Sequence, residues 1–331
     1  MCGMEDRVKN HADAMIFHTA ICAAGVTNKN DCRAESDIRL AIPSTQSVCG
    51  MEDRMGRFII GARLHDYGCG TPDEMFAKVA ADGFESVQLA YRKAISGIGS
   101  YADVTPEVVA QTVEAEKKHH IQVGVLGTYV QMGINDENVR RQNVRDYISQ
   151  LSVCKAIGAS CIGNETTEMY NQPAGTTRER GQYLFCKSMD EVLPEAERLG
   201  VQVAMEPVYY HSVNSPRAAW KVLQAMQSPN FKIIFDPANL VALDNVDRQQ
   251  EIWDEVGELL GDKIVAVHFK GMNFRPDGSG DFFSTSLAES CVDYAGAFRM
   301  LKQLPQDIHV LREEAVPAIA AEDIAFMKQF F

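Results

Sequence analysis

An eight-fold β/α barrel is the fold the sequence predicts over residues 55–331, and three observations predict it. Short β-branched runs alternate with longer amphipathic stretches, the pattern of βα units around a parallel sheet. Eight such runs fit into the 277 residues from Met55 onward, close to the roughly 250 residues usual for a (β/α)8, or TIM, barrel. Four of the runs end on a side chain able to bind a metal: VQVAM before Glu206, KIIF before Asp236, IVAV before His268 and IHVLR before Glu313. The rival is a doubly wound open sheet, which lacks its usual G-x-G-x-x-G after the first strand.

The elements follow in order. RFIIGARL (57–64) reads as the first strand. Thr71, Pro72 and Glu74 then supply an N-cap, a proline at the first helical position and a capping-box glutamate, opening a helix that stops at Gly83. ESVQLA is the second strand, and Thr105-Pro106 opens a helix ending near His120. IQVGVLGTYV (121–130) is the third strand, followed by a helix over 143–157. ASCIGNE is the fourth strand, a helix spans 181–199, and VQVAME is the fifth. Ser215-Pro216 caps the next helix, KIIFD is strand six, and a helix covers 248–260. KIVAVHF is strand seven, 294–304 is the last long helix, and IHVLRE is strand eight.

Residues 1–54 differ from the rest. They lack periodicity, hold four of the nine cysteines and contain CGMEDR twice, at 2–7 and 49–54. Two copies of a hexapeptide are not a repeat architecture, which stacks several units to bury a core. The expectation is a poorly ordered extension, possible as an upstream start-site artefact, ahead of a catalytic barrel.

Composition narrows the function. A formal charge of −13 and a pI near 5.1 argue against nucleic acid and anionic membrane partners, because phosphate binding needs clustered Lys and Arg. The apolar stretch over 14–26 is interrupted by His18 and follows acidic residues, so a signal peptide is not expected. No C-x-x-C pair or zinc-finger spacing occurs among the cysteines, which points to free thiols in a reducing, cytoplasmic compartment.

In a parallel barrel, side chains at the carboxyl ends of strands converge on one face. Glu206, Asp236, His268 and Glu313, spaced 30, 32 and 45 residues apart, would meet there. Singly, each has an ordinary reading: a surface glutamate, a turn-opening Asp-Pro, a hydrogen-bonded core histidine. Together, three carboxylates and one imidazole make an oxygen-rich divalent site, suited to Mn²⁺ first, with Mg²⁺, Co²⁺ or Zn²⁺ as alternatives. Further rim candidates are His65 after strand one, Gln88 and Lys93 after strand two, Tyr129 after strand three and Glu165 after strand four. His211 is a candidate acid or base five residues past Glu206, with Tyr209 and Tyr210 as aromatic walls.

The words MEPVYYH, FDPANL, VHFKG and LREE, preceded by RLHD, VQLAYRKA, VLGTYV and GNET, resemble the xylose-isomerase-like barrel superfamily of sugar and sugar-phosphate isomerases and epimerases. The resemblance covers roughly residues 57–316. It implies a divalent metal held by Glu206, Asp236, His268 and Glu313, with Glu314 the alternative register for the last ligand. It also implies proton transfer through a metal-stabilised enediolate, with Glu206 and Glu313 as ligands that also move protons. Ketose 3-epimerases of this group commonly carry His and Arg where this chain has Asn239 and Lys270, which points away from free ketohexoses and makes both residues substrate-binding candidates. The alternative reaction is a lyase, resembling inosose dehydratases or the catalytic subunits of C-glycoside-cleaving complexes acting on 3-keto glycosides. That alternative implies a small partner subunit; otherwise a small-molecule carbohydrate substrate and a homo-oligomer are implied.

Overall fold

The computed structural model describes residues 56–331, so the expectation for residues 1–54 lies outside the described residues. The strands are β1 (Phe58–Arg63), β2 (Ser86–Leu89), β3 (Gln122–Gly127), β4 (Cys161–Glu165), β5 (Val203–Glu206), β6 (Phe231–Phe235) and β7 (Ile264–Phe269). A hairpin of β8 (Met272–Phe274) and β9 (Phe282–Ser284) precedes β10 (Ile308–Arg312). All but the hairpin are parallel and close into a barrel in the order β1-β10-β7-β6-β5-β4-β3-β2. This is the (β/α)8 fold.

Eight helices of eight or more residues lie among the described residues: α1 (Pro72–Ala81), α2 (Pro106–His119), α3 (Glu137–Ala156), α4 (Arg178–Leu199), α5 (Pro216–Met226), α6 (Gln249–Leu260), α7 (Tyr294–Leu301) and α8 (Ala320–Lys328). Their starts are chemical. Thr71 accepts from Glu74 N while Glu74 reaches back to Thr71 N, the full capping box. Thr105 and Ser215 cap α2 and α5, each with proline at the first helical position. No described helix is long and apolar enough to cross a membrane.

Three boundaries and two further elements depart from the sequence expectation. Strand β3 ends at Gly127, not at Val130, because Tyr129 turns into a left-handed conformation and Asn164 takes over both backbone groups of Val130. Helix α3 begins at Glu137 rather than Asn143, since Asp136 accepts from the backbone N–H groups of Asn138 and Val139. Helix α7 ends at Leu301, three residues early. Hairpin β8–β9 and helix α8 were not anticipated.

Two cores hold the barrel. The larger lies between strands and helices, where Phe235 packs on Trp253 and Phe269 on Phe298. The smaller fills the barrel itself with Val125, Cys161, Ala204, Ile234, Ala266 and Leu311, one from each of six strands. At its floor His309 is clamped between the Ser86 and Ser160 hydroxyls, each 2.8 Å from a ring nitrogen.

Candidate active site

Strand alternation explains why charged groups sit where an apolar barrel core would otherwise continue. Side chains two residues apart on a strand share a face. Ala204, Ile234, Ala266 and Leu311 point into the barrel, so Glu206, Asp236, His268 and Glu313, each two residues on, form the next layer inward. The same parity carries Gly61 to Arg63, Ser86 to Gln88 and Gly163 to Glu165. Glu313 is the inward member of its pair; Glu314 has left the strand with φ +56°.

Glu206, Asp236 and His268 are at most 2% exposed, and their ligating atoms lie within 4.8 Å of one another. Asn239 donates from Nδ2 to Glu206 Oε1 at 2.6 Å, and Glu206 Oε2 stands 3.1 Å from His268 Nδ1. Asp236 Oδ1 caps the single turn Pro237–Leu240 by accepting from Asn239 N. Glu313 approaches the same imidazole nitrogen, its Oε1 3.5 Å from His268 Nδ1 and 3.4 Å from Arg63 Nη1. The Lys270 ammonium bridges the carboxylates, 2.7 Å from Asp236 Oδ2 and 3.2 Å from Glu313 Oε2.

The electrostatics are strained. Burial raises the Asp236 carboxyl, opposed by Lys270 and reinforced by Glu206. Burial also opposes charge on His268 and on Glu313, yet each supports the other's ionised form. Glu313 and Glu206 lift the imidazole, and His268, Lys270 and Arg63 hold the Glu313 carboxyl well below the usual range.

These residues fit a divalent cation. Asp236 Oδ2 and both ring nitrogens of His268 are buried without a well-directed hydrogen bond, despite the close ionic contacts of Asp236 Oδ2 and His268 Nδ1. Buried polar atoms without partners each cost about 1–3 kcal/mol, and a bound cation would satisfy the aspartate oxygen and one of the two ring nitrogens. Two carboxylates and an imidazole suit a borderline or moderately hard ion.

The remaining candidates surround a narrow pocket lined by Gln88, Tyr129, Glu165, Glu206 and His268, among others. Gln88 Nε2 donates to Tyr129 Oη at 3.1 Å, and Lys93 Nζ sits 3.2 Å above the Tyr129 ring. His65 meets the same ring edge-on at 5.8 Å. Burial, then Arg63 and Lys93, lower the His65 pKa to about 4. Asn239 and Lys270, the further substrate-binding candidates, reach the candidate ligands: Asn239 contacts Glu206, and Lys270 contacts Asp236 and Glu313.

His211 is fully buried and faces Glu165, with Nε2 3.7 Å from Oε2. Burial lowers its pKa to about 4. Tyr210 stacks with Tyr170 and with Phe282 of the β8–β9 hairpin, an aromatic wall of which only the Tyr210 part was anticipated. Sequence reasoning also missed Arg63 and Glu168. Arg63 was legible as the residue two past Gly61 on β1, whereas Glu168 lies on a loop with no periodic signal.

The chain matches the family described as "Xylose isomerase-like TIM barrel" over residues 76–330. It is similar to L-ribulose-5-phosphate 3-epimerase UlaE of Escherichia coli, at 31% identity over 173 residues, 52% of this chain and 56% of that protein. The chain thus spans about half the length of the curated relatives it matches. Among solved structures it resembles a xylose isomerase-like TIM barrel protein from Mycobacterium smegmatis in complex with magnesium, with TM-score 0.63 and 14% identity, covering 82% of this chain and 96% of that one. It also resembles the IOLI protein with a bound zinc atom, with TM-score 0.63 and 16% identity over the same shares.

Proposed function

Because the chain belongs to the xylose isomerase-like TIM-barrel family, we propose that it is a divalent-metal-dependent isomerase or epimerase of a sugar or sugar-derived ketone. The observation that carries the reading is the pair of carboxylates, Glu206 and Glu313, that converge on His268 Nδ1 at 3.1 and 3.5 Å. The UlaE relative, named as a sugar-phosphate 3-epimerase, supports the substrate class. Magnesium and zinc in two proteins of the same fold support a divalent ion, and the donor set accommodates Mn²⁺ equally.

Glu206, Asp236 and His268 would hold the ion, with Glu313 as the adjoining fourth ligand. When bound, it supplies Lewis-acid polarisation of a substrate carbonyl and its neighbouring hydroxyl. Glu206 is oriented by Asn239 at Oε1 and faces His268 Nδ1 through Oε2, and this carboxylate would take the proton from the carbon beside the carbonyl. Glu313 lies 3.2 Å from the Lys270 ammonium and 3.4 Å from Arg63, so Lys270 would supply through that carboxylate the proton returned to carbon and be reprotonated at the expense of the proton taken up by Glu206. Return to the same carbon inverts it, and return to its neighbour moves the carbonyl. Gln88, Tyr129 and Lys93 line the approach as hydroxyl-binding groups, and Tyr210 as an apolar wall.

The test is turnover by metal-stripped protein reloaded with Mn²⁺, Mg²⁺ or Co²⁺ on ketoses, ketose phosphates and 3-keto glycosides. Glu206→Gln should lower kcat by about 10²–10⁴-fold, the usual weight of a general base. Unchanged turnover in that variant, or full activity after chelation, would overturn the assignment.

A further inference from the structure

A second group of ligand-type side chains stands beside the first and shares no residue with it. Glu165 closes β4 and pairs in register with Glu206, while Glu168 and His211 face each other across an isolated antiparallel bridge. Backbone bonds fasten the two loops together: Ser212 N donates to Thr167 O at 2.8 Å and Met169 N to Tyr210 O at 3.3 Å. Arg178 secures the His211 loop from outside, donating to the carbonyls of His211 and Tyr209 at 2.7 and 3.0 Å. The frame is therefore rigid before any ligand arrives.

Within it, one ligating atom each from Glu165, Glu168 and His211 lies within 4.8 Å of the others. His211 is 0% exposed, and neither ring nitrogen has a well-directed hydrogen bond, with the Thr166 backbone as a nearby partner, so at least one nitrogen is buried and free to bind a ligand. The carboxylates are only partly compensated, Glu165 by the more distant Lys270 and His268. Gln131 and Asn171 donate amide hydrogens to Glu168 Oε2, which orients the carboxylate without neutralising it. Glu165 stands within ion-pair distance of His211 itself. The Glu165 side chain keeps 37% of its surface, opening on the pocket, so an ion has a way in.

We propose that Glu165, Glu168 and His211 form a second divalent-cation site, for a borderline ion such as Zn²⁺, beside the strand-end group. Two carboxylates and a neutral imidazole are a familiar donor set for such ions, and three protein ligands leave positions for water or a substrate oxygen. The ion would satisfy one ring nitrogen of His211 and offset the repulsion between Glu165 and Glu206. Its position on the pocket wall makes it a second anchor for a polyhydroxy or phosphorylated ligand.

The experiment is titration of the chelator-stripped full chain with ZnCl2, followed by calorimetry and native mass spectrometry. The expected stoichiometry is two ions per chain, falling to one in His211→Ala and in Glu168→Gln, and to one in Asp236→Asn. Melting curves establish that each variant is folded, and the partly exposed Glu168→Gln carries the test should His211→Ala be unstable. A single ion lost in His211→Ala but kept in Asp236→Asn would sink the strand-end reading and leave this one standing. A single ion lost only in Asp236→Asn, or two ions retained in Glu168→Gln with affinities changed by less than about tenfold, would overturn the second site.

Discussion

Lys270→Met removes the one cation that touches both Asp236 and Glu313. Its ammonium lies 2.7 and 3.2 Å from their carboxylates, with side-chain exposures of 13% for the lysine, 0% for Asp236 and 6% for Glu313. The backbone is fixed as well, since Tyr294 Oη donates to Lys270 O at 2.6 Å and accepts from Lys270 N at 3.1 Å. At an effective dielectric near 20 each contact is worth roughly 5–6 kcal/mol before desolvation. The cost of burying the three charges cancels most of that, and breaking a buried pair by removing one partner typically costs about 3–5 kcal/mol. Urea unfolding of metal-stripped protein should show that loss, because two carboxylates are left facing each other. A divalent ion draws on the same oxygens, so saturating Mn²⁺ should restore most of the stability, and the variant should bind Mn²⁺ more tightly than the parent chain. A metal-free loss below about 1 kcal/mol, well under the buried-pair range, or a loss that Mn²⁺ leaves untouched, would refute the reasoning.

Two further outcomes follow from the barrel interior. A Cβ added at Gly61 would meet the Ser86 carbonyl oxygen at 2.5 Å and Leu311 Cδ2 at 2.6 Å, and the backbone neighbour cannot yield as a side-chain tip can. Gly61→Ala should therefore cost about 1–3 kcal/mol in urea unfolding, the range for an overpacked core, and a neutral change would contradict the packing. Burial, then Arg57 and to the opposite effect Asp307, set the His309 pKa at about 4, below its ordinary 6.5. The unfolded chain thus binds the proton more readily, and the stability this group contributes is present above pH 6.5 and lost as pH falls towards 4. The loss amounts to at most about 3 kcal/mol, read as the difference in unfolding free energy against His309→Gln across that window; parallel pH profiles would rule it out.

Much of this was legible in the sequence because period and capping are local. The capping box at Thr71 and Glu74 and the proline after Ser215 place helix starts to within a residue. The four strand-end residues were legible because a period of two, continued past the last apolar residue, keeps the next side chain inside the barrel. What escaped is set by distant partners. Strand β3 stops where the Asn164 side chain captures Val130 from another strand's end, and no local pattern announces that. The orientations of Asn239 and Lys270 were equally hidden: both stand at strand ends, and only the fold turns one onto Glu206 and the other onto Asp236 and Glu313. Glu168 became part of a group only when its loop was zipped to that of His211.

The most direct test of the central claim is solvent deuterium incorporation. Metal-loaded protein in D₂O, offered ketoses, ketose phosphates and 3-keto glycosides, should place deuterium on the carbon beside the carbonyl of its substrate, and Glu206→Gln should suppress that exchange by about 10²–10⁴-fold. Product formed without any solvent deuterium, or exchange undiminished in Glu206→Gln, would contradict proton transfer by the strand-end carboxylates.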